Sequence, residues 1–368
     1  MEPEPHKVPI RFYEIDLLRF LAALSVVIYH YTYPGHAQGN YSPIAFPEIG
    51  KVTKYGYLGV ELFFIVSGYV VLLSAQGKTV RQFFLSRITR LYPAFWVACT
   101  LTFVIKLLCG PGPSDVAMSP YLHASLGQYA YNMTMLQEFF HVFNVDGAYW
   151  SLTIEITFYF IISLLIGYGL IKHIDWFIIV WLAFTALPAR FHAGSAFDSL
   201  LFPQYAPYFS AGMLFYLLQA PQGRTVRRYV LLFFAYTLAM RACRGQVVEM
   251  SAFFQDDFSW KVACLITTSF FLVISLITFR KIDLSKIAWL AWLGALTYPL
   301  YLIHSDIVFI AFHRLNYLGN KYALVAATIA AMLTAAYFIH VLVEKRFSKV
   351  LGTSANLLLD KLGQKPEA

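Results

Sequence analysis

Residues 11–30 read RFYEIDLLRFLAALSVVIYH, an apolar helical stretch that carries an arginine, Arg19, and eleven residues later a histidine, His30. At 3.6 residues per turn, eleven residues make about three turns, so both side chains share one helix face about 16 Å apart. Ionisable side chains inside a membrane span are costly and usually mark a functional site. This stretch therefore predicts a site that extends over much of the depth of a membrane.

The composition of the chain supports the same membrane setting. The chain is 59% hydrophobic and 13% charged, with a mean hydropathy of +0.60, whereas a soluble domain carries about a quarter charged residues. Its net charge of +8 follows loop topology, so we predict a lipid bilayer around the chain and no nucleic-acid partner. Because no long hydrophilic segment is present, we expect the function to lie among the helices.

The apolar segments predict an all-α polytopic integral membrane protein with about ten transmembrane helices. The loops on the side of the termini hold most of the lysine and arginine, and the opposite loop 110–148 has none, so both termini are predicted to be cytoplasmic. We expect a transmembrane domain over 1–352, a polar cytoplasmic tail over 353–368 and a bend at Pro299. The predicted spans are 13–33, 57–75, 93–109, 149–171, 175–190, 203–219, 229–245, 260–279, 287–310 and 322–343.

The predicted orientation assigns depths to three further side chains. Arg19 falls in the cytoplasmic half of the first span, and His30 falls near its outer end. Glu61 enters the second span at the depth of His30, and Glu155 lies slightly deeper on the fourth. We therefore expect His30, Glu61 and Glu155 to converge, with His30 as a general base because its ordinary pKa is near neutral. The alternative is a structural arginine bound to backbone carbonyls and an interfacial histidine.

The second span, YLGVELFFIVSGYV at 57–70, offers two polar groups. Glu61 could orient the His30 imidazole or hold a hydroxyl-bearing ligand. Ser67 could act as a nucleophile, but small residues in a span more often serve close helix packing, and packing is the favoured interpretation.

The run KTVRQFFLSRITRLYP at 78–93 is basic and lies on the predicted cytoplasmic side. Its Arg87 and Arg90 share a helical face, with Arg81 further upstream. Arginine forks match phosphate oxygens bidentately, so a cytosolic ligand bearing phosphate would fit here. The alternative is positive-inside anchoring or contact with anionic lipid.

Three residues near the ends of later spans are candidates for contact with a substrate. Trp150 in YWSLTIEITFYF could stack on a sugar face or anchor the chain at the interface. Tyr298 and His304 in LTYPLYLIHSD supply a hydroxyl and an imidazole. The four cysteines have no metal-ligand spacing, so no metal is predicted.

Together these motifs resemble the membrane-bound acyltransferase family 3. The matching pieces, in the order of the family, are DLLRFLAALSVVIYH, GVELFFIVSGY, SRITRLYP, WSLTIEITFY and TYPLYLIH. Leu17 departs from the glycine that often follows the aspartate in the family, which affects packing only. Larger relatives carry an extracytoplasmic hydrolase-like domain, so the resemblance implies that this chain acts alone or with glycan-assembly proteins.

The resemblance implies an O-acyltransferase of the bacterial inner membrane. Such an enzyme moves an acyl group, usually acetyl, from cytosolic acetyl-CoA as donor to a hydroxyl of an extracytoplasmic or lipid-linked carbohydrate. Direct transfer and an acyl-histidine intermediate both remain open. The implied catalytic residues are His30, Arg19, Glu61 and Glu155, the donor-binding residues are Arg81, Arg87, Arg90 and Arg19, and the substrate-binding residues are Trp150, Tyr298 and His304.

Two other classes of function, a transporter and a scaffold, are open alternatives. A polytopic transporter of a small anionic or glycan-related substrate would also bury charges along its path. A scaffold for glycan assembly would have no reason to bury Arg19, His30, Glu61 and Glu155. Phosphate-fitting arginines on one side and a histidine with carboxylates on the other favour acyl transfer.

Overall fold

The computed structural model describes residues 12–112, 115–188, 194, 196–347 and 350–354. Within these ranges the chain forms helices, turns and bends, with no β-strand. This confirms the predicted all-α class. The long helices are α1 (Tyr13–Thr32), α2 (Gly59–Ala75), α3 (Val80–Cys109), α4 (Trp150–Gly167), α5 (Ile174–Ala186), α6 (Ala206–Gln219), α7 (Val226–Phe254), α8 (Trp260–Thr278), α9 (Leu290–Ile303), α10 (Asp306–Leu315) and α11 (Lys321–Phe338).

Short helical pieces connect and extend these helices. A π-helical turn over Ile339–Glu344 continues α11. Short α-helices cover Pro34–Ala37, Pro47–Thr53, Leu126–Asn132 and Ala196–Leu201. The predicted polar tail lies outside the described residues from position 355 onward.

Each of the ten predicted apolar segments coincides with a helix or a helix pair, but the count of ten spans is not confirmed. Among the described residues, six helical segments are long and apolar enough to cross a membrane, and a seventh results if α9 and α10 form one bent span. Helices α5 and α6 have only 13 and 14 residues, and α7 carries charged residues along its length. The chain is a multi-pass membrane protein.

Helix α3 begins at Val80, well before the predicted residue 93. Thr79 and Gln82 explain this start, because each side chain hydrogen-bonds to the other's backbone N–H, at 3.3 Å and 3.1 Å. Such a capping box satisfies two N–H groups that a helix start leaves unpaired. The basic run is therefore the first part of a 30-residue helix.

The predicted bend at Pro299 is wrong, because the chain breaks after His304, with α9 and α10 at 67°. Side chains satisfy the backbone groups that the break releases. The Tyr149 hydroxyl donates to the Leu302 carbonyl at 3.1 Å, and the Asp306 N–H donates to Asp146 Oδ2 at 3.1 Å. A helix can break at membrane depth when protein groups replace its lost hydrogen bonds.

Helix α1 packs between α2 and α9, and α2 packs closely on α6. Gly68 and Gly212 allow the second contact. A Cβ on Gly68 would collide with the Phe209 carbonyl oxygen, and one on Gly212 would collide with that of Ile65. Small residues permit this close backbone approach between membrane helices. The packing leaves one cavity beside the first half of α1 and another beside its last turns.

Candidate functional site

A first cavity, here called the arginine cavity, lies among α1, α2, α3, α4 and α9 and measures about 750 Å³ including its open mouth. A wider cavity beside Phe12 and His340 joins it at Arg19, Arg90 and Tyr298, which line both. The sequence analysis placed Arg19 and Tyr298 on separate spans and Arg90 in a cytoplasmic run, and the fold brings the three together. The polar residues in its wall are Arg19, Ser67, Arg87, Arg90, Ser151, Thr297, Glu155, Tyr159, Tyr298 and Tyr301.

Arg87 is the cationic group that is best placed to bind a ligand in this cavity. Its guanidinium carbon lies 5.7 Å from the ring of Phe83 and 5.6 Å from that of Tyr159. Within the described part of the chain, its buried Nε has no hydrogen-bond partner. A buried N–H without a partner is unfavourable, so the site suits an anion that accepts this hydrogen bond.

Arg81 does not share this position. It is exposed on the first turn of α3 and lines neither the arginine cavity nor the wider cavity. Of the predicted donor-binding arginines, the fold brings together Arg19, Arg87 and Arg90.

Glu155 lies in the arginine cavity rather than beside His30. It accepts hydrogen bonds from the Tyr159 hydroxyl and, at 3.3 Å, from Ser67 Oγ. The Ser67 hydroxyl therefore has a partner on α4. This contact joins two helices and also fits the packing interpretation of Ser67.

His30 lies at the other end of the site and faces a second cavity, the histidine cavity, of about 1360 Å³ including its open mouth. Its Nδ1 lies 2.9 Å from the Val26 carbonyl oxygen. Because a carbonyl can only accept, Nδ1 carries the proton and Nε2 holds the lone pair. Among the described residues, Nε2 has no hydrogen-bond partner. His30 thus has the tautomer that a general base facing the cavity needs.

Aromatic rings and amides dominate the wall of the histidine cavity. The predicted sugar-stacking residue, Trp150, lies in this wall, and its ring packs 5.6 Å from that of Tyr205. Flat rings with amide donors and acceptors suit an uncharged polar ligand such as a carbohydrate. The other aromatic and amide residues of the wall are Tyr41, Tyr121, Phe143, Phe253, Phe254, Phe309, Gln38, Gln128 and Asn144.

The two cavities meet at the first turn of α4. Trp150 lines the histidine cavity, and the next residue, Ser151, lines the arginine cavity. The Ser151 hydroxyl lies 2.7 Å from the Tyr301 hydroxyl, and Phe63 packs edge-on to Tyr301 at 5.6 Å. A thin layer of side chains therefore separates the cavity of Arg19 from the cavity of His30.

The fold does not bring Glu61 to His30. Glu61 is buried on a face of α2 that is turned toward Gln246 of α7, and it lines neither cavity. The direction of Glu61 around α2 therefore differs from the predicted one. The side chains near His30 are instead those of His304 and Asp306, and His304 is fully buried without forming part of either wall.

Sequence reasoning missed a buried ionic cluster beside His30. Lys106 Nζ on α3 lies 2.6 Å from Asp306 Oδ2, with both side chains almost inaccessible. Asp306 also accepts from the Gly147 N–H at 3.1 Å, and Asp146 accepts from the Asp306 N–H. A lysine inside a predicted apolar span was the available signal.

Comparison with known proteins identifies the family of the chain. The acyltransferase domain of family 3 matches residues 12–341. The chain belongs to acyltransferase family 3. The resemblance inferred from the motifs is thereby confirmed, and with it the assignment as a membrane acyltransferase.

Three relatives of this family member are similar over part of their length. A peptidoglycan O-acetyltransferase, OatA of Listeria monocytogenes, is 25% identical over 218 residues, covering 50% of this chain and 32% of the relative. Nodulation protein 10 of Rhizobium leguminosarum bv. viciae is 25% identical, covering 41% and 43%. A putative peptidoglycan O-acetyltransferase, YrhL of Bacillus subtilis, is 27% identical, covering 42% and 24%. No solved structure matches the chain.

Proposed function

We propose that this family 3 member is a membrane O-acetyltransferase. It moves an acetyl group from cytosolic acetyl-CoA to a hydroxyl of an extracytoplasmic carbohydrate in the bacterial inner membrane. The main support is that one helix, α1, presents Arg19 to a cavity rich in arginine and His30 to an adjoining cavity rich in aromatic residues. Two relatives are named peptidoglycan O-acetyltransferases, which favours acetyl as the group and a glycan as the acceptor.

On the donor side, Arg87 and Arg90 bind the phosphates of coenzyme A. The pantetheine arm extends past Arg19 and carries the thioester to the layer formed by Ser151 and Tyr301. That layer must open for the thioester to reach His30, which lies beyond it. The cavity, with its orphan Arg87 N–H, supports this assignment.

On the acceptor side, the sugar stacks on Trp150 with a hydroxyl at His30 Nε2. His30 removes the hydroxyl proton as the sugar oxygen attacks the thioester carbonyl carbon. The new C–O bond forms, the C–S bond breaks, and the thiolate of coenzyme A takes the proton from the imidazolium. Proton transfer by a positioned histidine accelerates such reactions about 10²- to 10⁴-fold.

Acetyl-CoA is expected to stabilise the purified protein in detergent against thermal unfolding. A ligand at a hundred times its Kd adds about 2.7 kcal/mol to the free energy of unfolding. Arg87→Gln should weaken this effect, because a charge-assisted hydrogen bond to a phosphate is worth about 1.5–3 kcal/mol. Differential scanning fluorimetry over a range of acetyl-CoA concentrations measures both effects.

Arg81→Gln is the matched control, since it removes a guanidinium from the same helix outside the cavity. Its response to acetyl-CoA should equal that of the unmodified protein. A protein that does not respond to acetyl-CoA would favour the transporter alternative. Equal losses in the two variants would mean that Arg87 and Arg90 do not form the donor site.

A further inference from the structure

A second histidine stands directly behind His30. His304 ends α9 at the break before α10 and is fully buried. Its Nε2 lies 3.3 Å from His30 Nδ1, and the two rings meet nearly edge-on, with centroids 4.9 Å apart. His304 therefore contacts the nitrogen of His30 that faces away from the histidine cavity.

The protons of this pair follow from its backbone contacts. His304 Nδ1 lies 2.7 Å from the Tyr301 carbonyl oxygen, which can only accept, so Nδ1 carries the proton and Nε2 holds a lone pair. Val26 imposes the same tautomer on His30. The one Nδ1–H of His30 is therefore shared. Its shorter branch runs to the Val26 carbonyl at 2.9 Å, its longer branch to the lone pair of His304 Nε2 at 3.3 Å, and the lone pair of His30 remains at Nε2.

The break between α9 and α10 holds His304 in place. Asp306, two residues further on, is fixed by the Lys106 ammonium and by the N–H of Gly147. The Tyr149 hydroxyl binds the Leu302 carbonyl on the other side of the break. Contacts from α3 and from the segment before α4 therefore determine where the His304 imidazole points.

We infer that His304 is a positioning residue for His30, an inference that rests on the proposed acyl transfer. His304 accepts the longer branch of the hydrogen bond from His30 Nδ1–H and, together with the Val26 carbonyl, keeps the imidazole oriented with Nε2 toward the acceptor. When His30 takes the acceptor proton, the same lone pair stabilises the imidazolium. This replaces the predicted role of His304 in substrate binding, because His304 forms part of neither cavity wall.

Three substitutions separate this role from simple core packing. H304Q places an amide oxygen near the position of Nε2 and can still accept from His30. H304N reaches only the position of Nδ1, so it can bond to the Tyr301 carbonyl but not to His30. H304F keeps the ring and loses both nitrogens. All three variants fill the same buried position with side chains of related size.

The measurement is acyl transfer from radiolabelled acetyl-CoA in membranes, with kcat and the KM for acetyl-CoA determined for each variant. H304N and H304F should lower kcat about 10- to 100-fold, as expected for losing a hydrogen bond to a charged group. The KM should stay within about twofold, since His304 does not touch the donor cavity. The kcat of H304Q should be at least tenfold higher than the kcat of H304N.

The outcomes distinguish this inference from the proposed function. If the unmodified protein transfers no acetyl group, or His30→Ala keeps full activity, the proposed function fails. If His30→Ala is inactive while H304F matches the unmodified protein, only the inference fails. Equal kcat for H304N and H304Q in folded protein would also overturn it, because both variants then affect packing alone. Should H304F not fold, the comparison of H304N with H304Q decides.

Discussion

Replacing His30 with alanine is expected to lower the rate of acetyl transfer about 10²- to 10⁴-fold, the usual contribution of a general base. The Nε2 of His30 is the accessible lone pair next to Trp150 in the histidine cavity. Without it, the acceptor hydroxyl must attack the thioester while still protonated. The measurement is alkali-labile radiolabel transferred from acetyl-CoA to the glycan fraction of membranes that contain the variant.

His36→Ala is the matched control for this substitution. His36 lies a few residues beyond His30 and is exposed, outside the histidine cavity, so its loss should leave the rate within about twofold. His30→Ala should also keep its thermal stabilisation by acetyl-CoA, since Arg87 and Arg90 are intact. Unchanged transfer in His30→Ala would exclude His30 as the base.

Lys106→Met is expected to lower the free energy of unfolding by about 3–5 kcal/mol, the cost of leaving a buried charge without its partner. Lys106 is fully buried and lies 2.6 Å from Asp306, and Asp146 adjoins the same pair. Burial, followed by the charge on Asp306, raises the pKa of the Asp146 carboxyl well above its ordinary value. Losing the ammonium leaves two buried carboxyl groups without a cation. Reversible unfolding in mixed micelles measures the effect.

Two further variants test whether the loss of stability in Lys106→Met comes from the broken Lys106–Asp306 pair. Adding Asp306→Asn to Lys106→Met removes both charges and should recover part of the loss, as a double-mutant cycle detects. Lys51→Met breaks an exposed pair with Glu48 and should change stability by less than about 1 kcal/mol. If Lys106→Met costs no more than Lys51→Met, the buried pair does not stabilise the break.

The sequence predicted well those features that depend on order along one helix. The eleven-residue spacing places Arg19 and His30 at two cavities, and the spacing of Arg87 and Arg90 places both in one wall. Apolar segment length located the helices. These predictions rest only on helical periodicity and on the energetic cost of burying a charged side chain in a membrane.

What the sequence did not predict depends on how one helix is turned against another. Depth put Glu61 level with His30, but depth leaves the direction around the helix undetermined, and α2 turns Glu61 toward α7. The break after His304 depends on side chains from α3 and from the segment before α4. No local pattern in LTYPLYLIHSD reveals those partners. Proline was the visible signal, and it predicted the break too early.

The most direct test of the account is the sidedness of acetyl transfer in sealed bacterial membrane vesicles that contain this chain. Radiolabelled acetyl-CoA is added to the medium around inside-out vesicles and, in a separate sample, around right-side-out vesicles. Alkali-labile label is then measured in the glycan fraction. The account predicts label in inside-out vesicles, whose cytoplasmic face meets the donor, and in right-side-out vesicles only after permeabilisation. Equal labelling of intact vesicles of both orientations, or no labelling even in inside-out vesicles, would contradict transfer from a cytosolic donor to an external acceptor.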